Sequence, residues 1–354
     1  MISRVADHCF WLGRYLERAE STARLLQVTE SLAVEGDLLP LQCWQPVLIT
    51  EDEEGSFIRL RSAEALADGE AVQEFLCFNP QVHASLLCSI GAARENARSI
   101  RETISLEAWE SINELHLWMQ SPAARASFDE ERYGFYRHIR REVQLCLGLL
   151  RGTMLQDLPL DFIWLGVVLE RTGQTSRILD VHHHAFTIAS EAGEPVGSAA
   201  PAVVHLSHWL SLLRACYGFE PFMKTHHGPV TGQAVARFLL FEQRFPRSVR
   251  HCLRRARETL ARIRPASSGL PVLLSFQRLV VAEAWLEVLA SGPFEYASLH
   301  EILTRVIDES QGACNEISLE LLGAPPVQAT PEPPAAAPLS GQSQSQTQMS
   351  SQTK

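Results

Sequence analysis

Apolar residues recur along this chain at helical spacing. Leu12, Leu16, Ala19, Ala23 and Leu26 follow one another at intervals of four and three, which draws one stripe down a helix. Leu165, Leu169 and Leu179 repeat the habit in the second half. Strict apolar–polar alternation never outlasts a few residues, as around 47–50. The pattern predicts an all-α protein. Helices are expected at 4–31, 41–50, 70–78, 82–104, 107–120, 129–155, 161–190, 203–217, 231–242, 247–264, 270–290 and 295–322. Gly36 would close the first, Asp129 and Thr231 would act as N-caps, and Pro246 and Pro271 would stand near helix starts. The acidic stretch 51–57 reads as an exposed loop.

The chain also repeats itself. Residues 11–26, WLGRYLERAESTARLL, match residues 164–179, WLGVVLERTGQTSRIL, at nine of sixteen positions with an offset of 153. Residues 71–100 match 234–263 at ten of thirty positions with an offset of 163. The Gly/Pro/Ala-rich stretch 190–202 can hold much of the difference. A period this long is no solenoid. It predicts a duplicated helical bundle of two pseudo-symmetric halves, 1–155 and 156–323, packed about an approximate two-fold axis.

Composition narrows the function. The tail 324–354 is Pro, Ala, Ser, Gln and Thr with one acid and one base, and such a segment is expected to be disordered. The net charge of -10 argues against a nucleic-acid or anionic-membrane binder. Eight cysteines form no CxxC pair. With no secretory leader in view, they read as reduced core residues of a cytoplasmic protein. No uncharged apolar run is long enough to span a bilayer.

The repeated Glu-Arg pair carries the main chemical signal. Glu17-Arg18 and Glu170-Arg171 stand at matched positions, each Glu four residues after a Gly (Gly13, Gly166) and seven before an Arg (Arg24, Arg177). Seven residues span about 10 Å of helix, so Glu17 and Arg24 are set to reach another helix rather than each other. Pseudo-symmetry offers partners: Glu17 to Arg171 or Arg177, and Glu170 to Arg18 or Arg24. Two readings stand. One is a buried charge network between the two long helices. The other is a cleft in which Arg clamps a carboxylate or phosphate and Glu binds an amine or metal.

A second pair, Arg94-Glu95 and Arg257-Glu258, recurs as well. Eight arginines fall between 244 and 264 against one acid, with Arg247, Arg250, Arg254 and Arg257 flanking an apolar stripe. That face is either solvated and paired with acidic neighbours or a dock for an acidic partner. Histidines 182–184 are consecutive and cannot converge on one metal; Asp180 with His184, or His205 with His208, would give two ligands each. No metal site is expected. Phosphate-loop, dinucleotide, nucleophile-elbow and zincin motifs are absent, so no cofactor is expected either.

Four segments together carry a family resemblance: WLGRYLERAESTARLL at 11–26, AARENARSIRE at 92–102, WLGVVLERTGQTSRILDV at 164–181 and FPRSVRHCLRRARE at 245–258. With them the chain resembles the bacterial alpha-E family over about 1–323, save for 34–62. The resemblance implies a partner, a circularly permuted ATP-grasp protein, often with a transglutaminase-like cysteine protease nearby. It therefore implies a role in ATP-dependent amide or peptide bond formation. Only Glu17, Arg18, Glu170 and Arg171 carry over, with no assigned role. The expectation is a helical accessory or scaffold subunit of a peptide ligase system. It would bind the ligase or its peptide substrate through a Glu/Arg cleft (Arg18, Arg24, Arg171, Arg177) and an arginine surface (Arg94, Arg257, Arg250, Arg254). The alternative is an enzyme in its own right, with Glu17 and Glu170 as the catalytic pair in amide-bond chemistry.

Overall fold

In the computed structural model the backbone is described over 3–35, 39–191 and 200–323, and the side chains over the same residues except 35, 184–191 and 200–205. Gly36, most of the 190–202 stretch and the tail lie outside the described residues. The described residues form fifteen α-helices and no strand, so the fold is all-α. In order they are α1 (Ser3–Glu35), α2 (Pro40–Thr50), α3 (Glu54–Leu60), α4 (Gly69–Phe78), α5 (Leu86–Ser99), α6 (Leu106–Met119), α7 (Pro122–Glu130), α8 (Arg132–Thr153), α9 (Leu158–Glu191), α10 (Ala200–Ala215), α11 (Phe219–Thr225), α12 (Gly232–Phe241), α13 (Val249–Ile263), α14 (Leu274–Ser291) and α15 (Leu299–Ile317). None is long and apolar enough to cross a membrane.

Local chemistry sets the boundaries. Asp68 caps α4, accepting from the amides of Glu70 and Ala71, and Thr231 caps α12, accepting from Ala234. Ser85 caps α5 through the amide of Cys88, and Ser248 caps α13 through that of His251. Each cap satisfies orphan amides and contributes about 1 kcal/mol. Asp68 and Thr231 stand 163 residues apart, as do Ser85 and Ser248, and as do both ends of α4 and α12. The stop and start signals therefore recur at the interval of the sequence repeat.

Two expectations need correction. Asp129 caps nothing: it lies in the last turn of α7, which Ser121 caps and Pro122 opens, and the chain leaves helical geometry at Glu131 before α8. The stretch 51–57 is not an exposed acidic loop. Glu51 and Glu53 are buried, Phe57 is fully buried, and α3 starts at Glu54. Asp52, at φ 60, turns the chain so that the flanking acids point inward.

Residues 1–324 make one compact unit. Helices α5, α6 and α8 pack together, with α5 and α8 against α1; α13, α14 and α15 do the same, with α13 and α15 against α9. The two long helices meet each other along a central seam. All eight cysteines are free thiols, and all but Cys88 are buried.

Candidate functional site

The seam begins with two glycines. A Cβ on Gly13 would stand 2.0 Å from the carbonyl oxygen of Ile163, and one on Gly166 would stand 2.1 Å from that of Phe10. Phe10 and Ile163 are themselves matched in the repeat. The contact is therefore reciprocal, and only hydrogen at these Cα atoms permits it. Gly13 meets Ile163 and Val167 while Gly166 meets Phe10 and Arg14, and past both glycines Glu17 again meets Arg171 and Glu170 meets Arg18, so the two helices run in the same direction.

One turn further along, the charges interlock. Arg171 Nε and Nη2 donate to the two oxygens of Glu17 at 3.0 and 2.8 Å. Arg18 Nε and Nη2 donate to those of Glu170 at 2.7 and 3.1 Å. Each motif thus uses its Arg to clamp the Glu of the other. Each carboxylate also takes a second guanidinium: Arg14 reaches Glu170 at 2.7 Å, and Arg247 reaches Glu17 at 2.7 Å. Glu17 is 0% exposed and Glu170 1%. Burial alone would push both acids up. Arg171 and Arg247 overcome it at Glu17, Arg14 and Arg18 at Glu170, and both carboxyls sit below the ordinary carboxylate range.

The second guanidinium breaks the repeat. Arg14 matches Val167, and Arg247 matches Ala84, yet both carboxylates end with two arginines. Glu20, buried and matched by Gly173, adds a third acid. It accepts from Arg24 at 3.0 Å, from Arg247 at 3.0 Å and from the Tyr217 hydroxyl at 2.5 Å. Where the second half has Gly173, the Arg177 side chain lies over the bare Cα. Glu51 completes the cluster under Arg18 and Arg177. Burial raises its carboxyl above the ordinary range against the pull of those arginines.

Several expected site residues fall elsewhere. Arg24 does not cross to Glu170 but folds onto Glu20 of its own helix, four residues away. Arg177 reaches neither Glu17 nor Glu170 by a hydrogen bond, and its Nε is buried without an acceptor among the described residues. Arg94 pairs with Asn113 and Glu95, Arg257 with Glu283 at 2.5 Å, Arg250 with Glu287 at 2.8 Å, and Arg254 with the carbonyl of Gln243 at 3.2 Å. These four are not at the seam. The open cleft expected around the Glu-Arg pairs is a sealed joint.

Sequence reasoning did not place Arg14, Glu20, Arg140, Tyr217 and Arg247 here. Arg247 carried a readable signal: Ser248 matches the cap Ser85, which puts Arg247 outside α13 and free to turn inward. No group of three or more metal-ligating side chains occurs among the described residues. His182 and His208 bond ring to ring at 2.5 Å, and Asp180 pairs with His300 at 2.8 Å. The side chains of His184 and His205 lie outside the described residues.

An all-α body held by two reciprocal, buried Glu-Arg clamps is thus the class that fold and site define. The chain belongs to the Alpha-E family, described as a predicted alpha-helical domain with a conserved ER motif, whose profile matches residues 1–321. Glu17-Arg18 and Glu170-Arg171 carry that motif at the seam. Uncharacterized proteins of Mycobacterium bovis and Mycobacterium tuberculosis are 24% identical to it over 282 residues, which is 75% of this chain and 30% of theirs. The chain thus spans less than a third of the relatives' length. No solved structure matches it.

Proposed function

We propose that this protein is a helical scaffold subunit of an ATP-grasp-linked peptide (amide) ligase system, acting in the cytoplasm. It would hold the circularly permuted ATP-grasp protein, or that enzyme's peptide substrate, with a transglutaminase-like protease as a further partner. One observation carries the reading: both repeated carboxylates are sealed, ionised and saturated by arginines. A carboxylate so held has no proton to give at neutral pH and could accept one only by breaking two ion pairs, so it suits a strut better than an acid or base. The mycobacterial relatives support it further, because there the matching region is part of a chain about three times as long. A module that recurs within longer chains suits a scaffolding role.

The arginine face supplies a place to dock. On α13 most guanidiniums are neutralised by acids of the same body: Arg250 by Glu287, Arg255 by Glu258, Arg257 by Glu283 and Arg262 by Asp161. Beside them a groove of about 650 Å³ combines Phe222, Phe238, Phe241 and Phe294 with Arg237, Arg244 and Arg250. Arg244 pairs with Glu242 of the same groove and Arg250 with Glu287, so an incoming carboxylate would have to compete for them. Aromatic anchors ringed by guanidiniums suit an acidic or carboxylate-bearing peptide segment. The test is co-purification of the tagged full chain with a co-expressed ATP-grasp partner. Co-elution lost on combining Arg244→Glu with Arg250→Glu supports the reading. Failure to co-elute, or association untouched by the charge reversals, overturns it. Peptide ligation or hydrolysis by the chain alone, abolished by Glu170→Gln in a folded variant, would favour an enzyme instead.

A further inference from the structure

The seam carries more positive charge than it neutralises. Seven guanidiniums (Arg14, Arg18, Arg24, Arg140, Arg171, Arg177 and Arg247) share four carboxylates, Glu17, Glu20, Glu51 and Glu170. The surplus gathers at one end. Arg140 donates through Nη1 to the Gln27 side chain, but it stands 3.8 Å from Glu20 with no hydrogen bond to it, and its Nε is buried without an acceptor among the described residues. Burial, with Arg140 and Arg247 close by, pulls the Arg24 guanidinium down to about 9 despite Glu20.

That end opens into a cavity of about 230 Å³ walled by Arg137, Arg140, Arg141, Gln144 and Tyr217. The four residues from α8 stand at intervals of three and four, so they share one helical face. Neither Arg137 nor Arg141 has a carboxylate within ion-pair distance among the described residues, and both are exposed. A water occupies roughly 30 Å³ of liquid, so the cavity can take a tetrahedral oxyanion together with the group it is attached to.

Tyr217 is the independent sign. It closes α10 in the left-handed region at φ 56, with its amide on Arg214 and that of Gly218 on Leu213. A non-glycine residue there costs about 1–2 kcal/mol, and the glycine that would avoid the cost stands one residue later. Such strain persists where the side chain is needed. Here the hydroxyl donates to Glu20, the ring faces the guanidiniums of Arg247 at 4.6 Å and Arg140 at 5.6 Å, and the same ring walls the cavity.

We propose that this cavity binds a phosphate-class oxyanion, held by the guanidinium forks of Arg137, Arg140 and Arg141 beside Gln144 and the Tyr217 ring. Planar guanidiniums match phosphate oxygens two at a time, and a dianion offsets the local surplus better than a carboxylate does. The site is independent of the scaffold role.

The test uses the full chain and inorganic phosphate or pyrophosphate, titrated by calorimetry at fixed ionic strength, with acetate and chloride as controls. Saturable phosphate binding is expected, weakened by about tenfold in each of Arg137→Ala and Arg141→Ala. Among the described residues neither has a hydrogen-bond or ion-pair partner, and Arg137 has only the exposed Tyr133 ring at 5.8 Å, so both variants should keep the wild-type circular dichroism and melting temperature without phosphate. A partial recovery in Arg141→Lys is expected. Binding unchanged in both alanine variants, or acetate or chloride binding as tightly as phosphate, overturns the proposal.

Discussion

Gly166→Ala tests the geometry of the seam directly. A methyl group there would stand 2.1 Å from the Phe10 carbonyl oxygen, where ordinary contact begins at 3.4 Å. The obstacle is backbone, so the two long helices must part locally by roughly 1.3 Å, the difference between those distances. The Arg18–Glu170 and Arg171–Glu17 bonds, now 2.7 to 3.1 Å, lie one turn away and would stretch towards about 4 Å, past hydrogen-bonding range. Overpacking costs about 1–3 kcal/mol, and each loosened charged bond about 1.5–3 kcal/mol. Alanine returns at most about 1 kcal/mol of helix propensity. Strain wins, and a net loss of about 3 kcal/mol or more is expected in urea unfolding followed by circular dichroism. Gly148→Ala on α8 is the matched control, because its added Cβ meets nothing within 4 Å, and it should stabilise by up to about 1 kcal/mol. Adding Gly13→Ala to Gly166→Ala should cost less than the sum of the two, since both part the same helices. A Gly166→Ala protein as stable as wild type would refute the close crossing.

Two further outcomes follow from the same cluster. Glu170 lies below its ordinary 4.5, so its contribution is full above that pH and is lost as the pH falls towards and through the folded value. Glu51 is raised, the opposite sign. Glu170→Gln should therefore destabilise at pH 7, a difference that shrinks only as the pH falls below 4.5, whereas Glu51→Gln should stabilise at pH 7, a difference already lost as the pH falls to 4.5, both read in thermal melts; parallel pH profiles for the two would refute the assignment. Arg247→Ala leaves Glu17 and Glu20 each short of a partner and should cost about 3–5 kcal/mol, whereas the half-exposed Arg255→Ala should stay within about 0.5 kcal/mol. Equal losses in scanning calorimetry would contradict the placement of Arg247.

Most helices could be read along the chain because their information is local. Thr231 caps where its side chain allows, and the stripe from Leu12 to Leu26 buries one face whatever lies opposite. The errors came where distant partners decide. Glu51 and Glu53 look solvated in a run of acids, but one accepts from Gln174 of α9 and the other from the Ala84 amide. Arg24 looked spaced to cross the seam, yet Glu20 on its own helix, with Tyr217 against it, took it first.

Sequence alone determined that the chain is helical, that it repeats, and that the repeat carries a Gly, a Glu and an Arg at fixed spacing on a helical stripe. Periodicity and caps act over a few residues, so they are legible without a fold. Only the tertiary structure decided that each Arg clamps the other motif's Glu, and that Arg14 and Arg247, unrelated by the repeat, complete the two clamps. Nor could sequence show that Tyr217 bends into a strained turn beside Arg140. A carboxylate's partners are set by which helices approach within a few ångströms, and two glycines with bare Cα atoms permit that approach here.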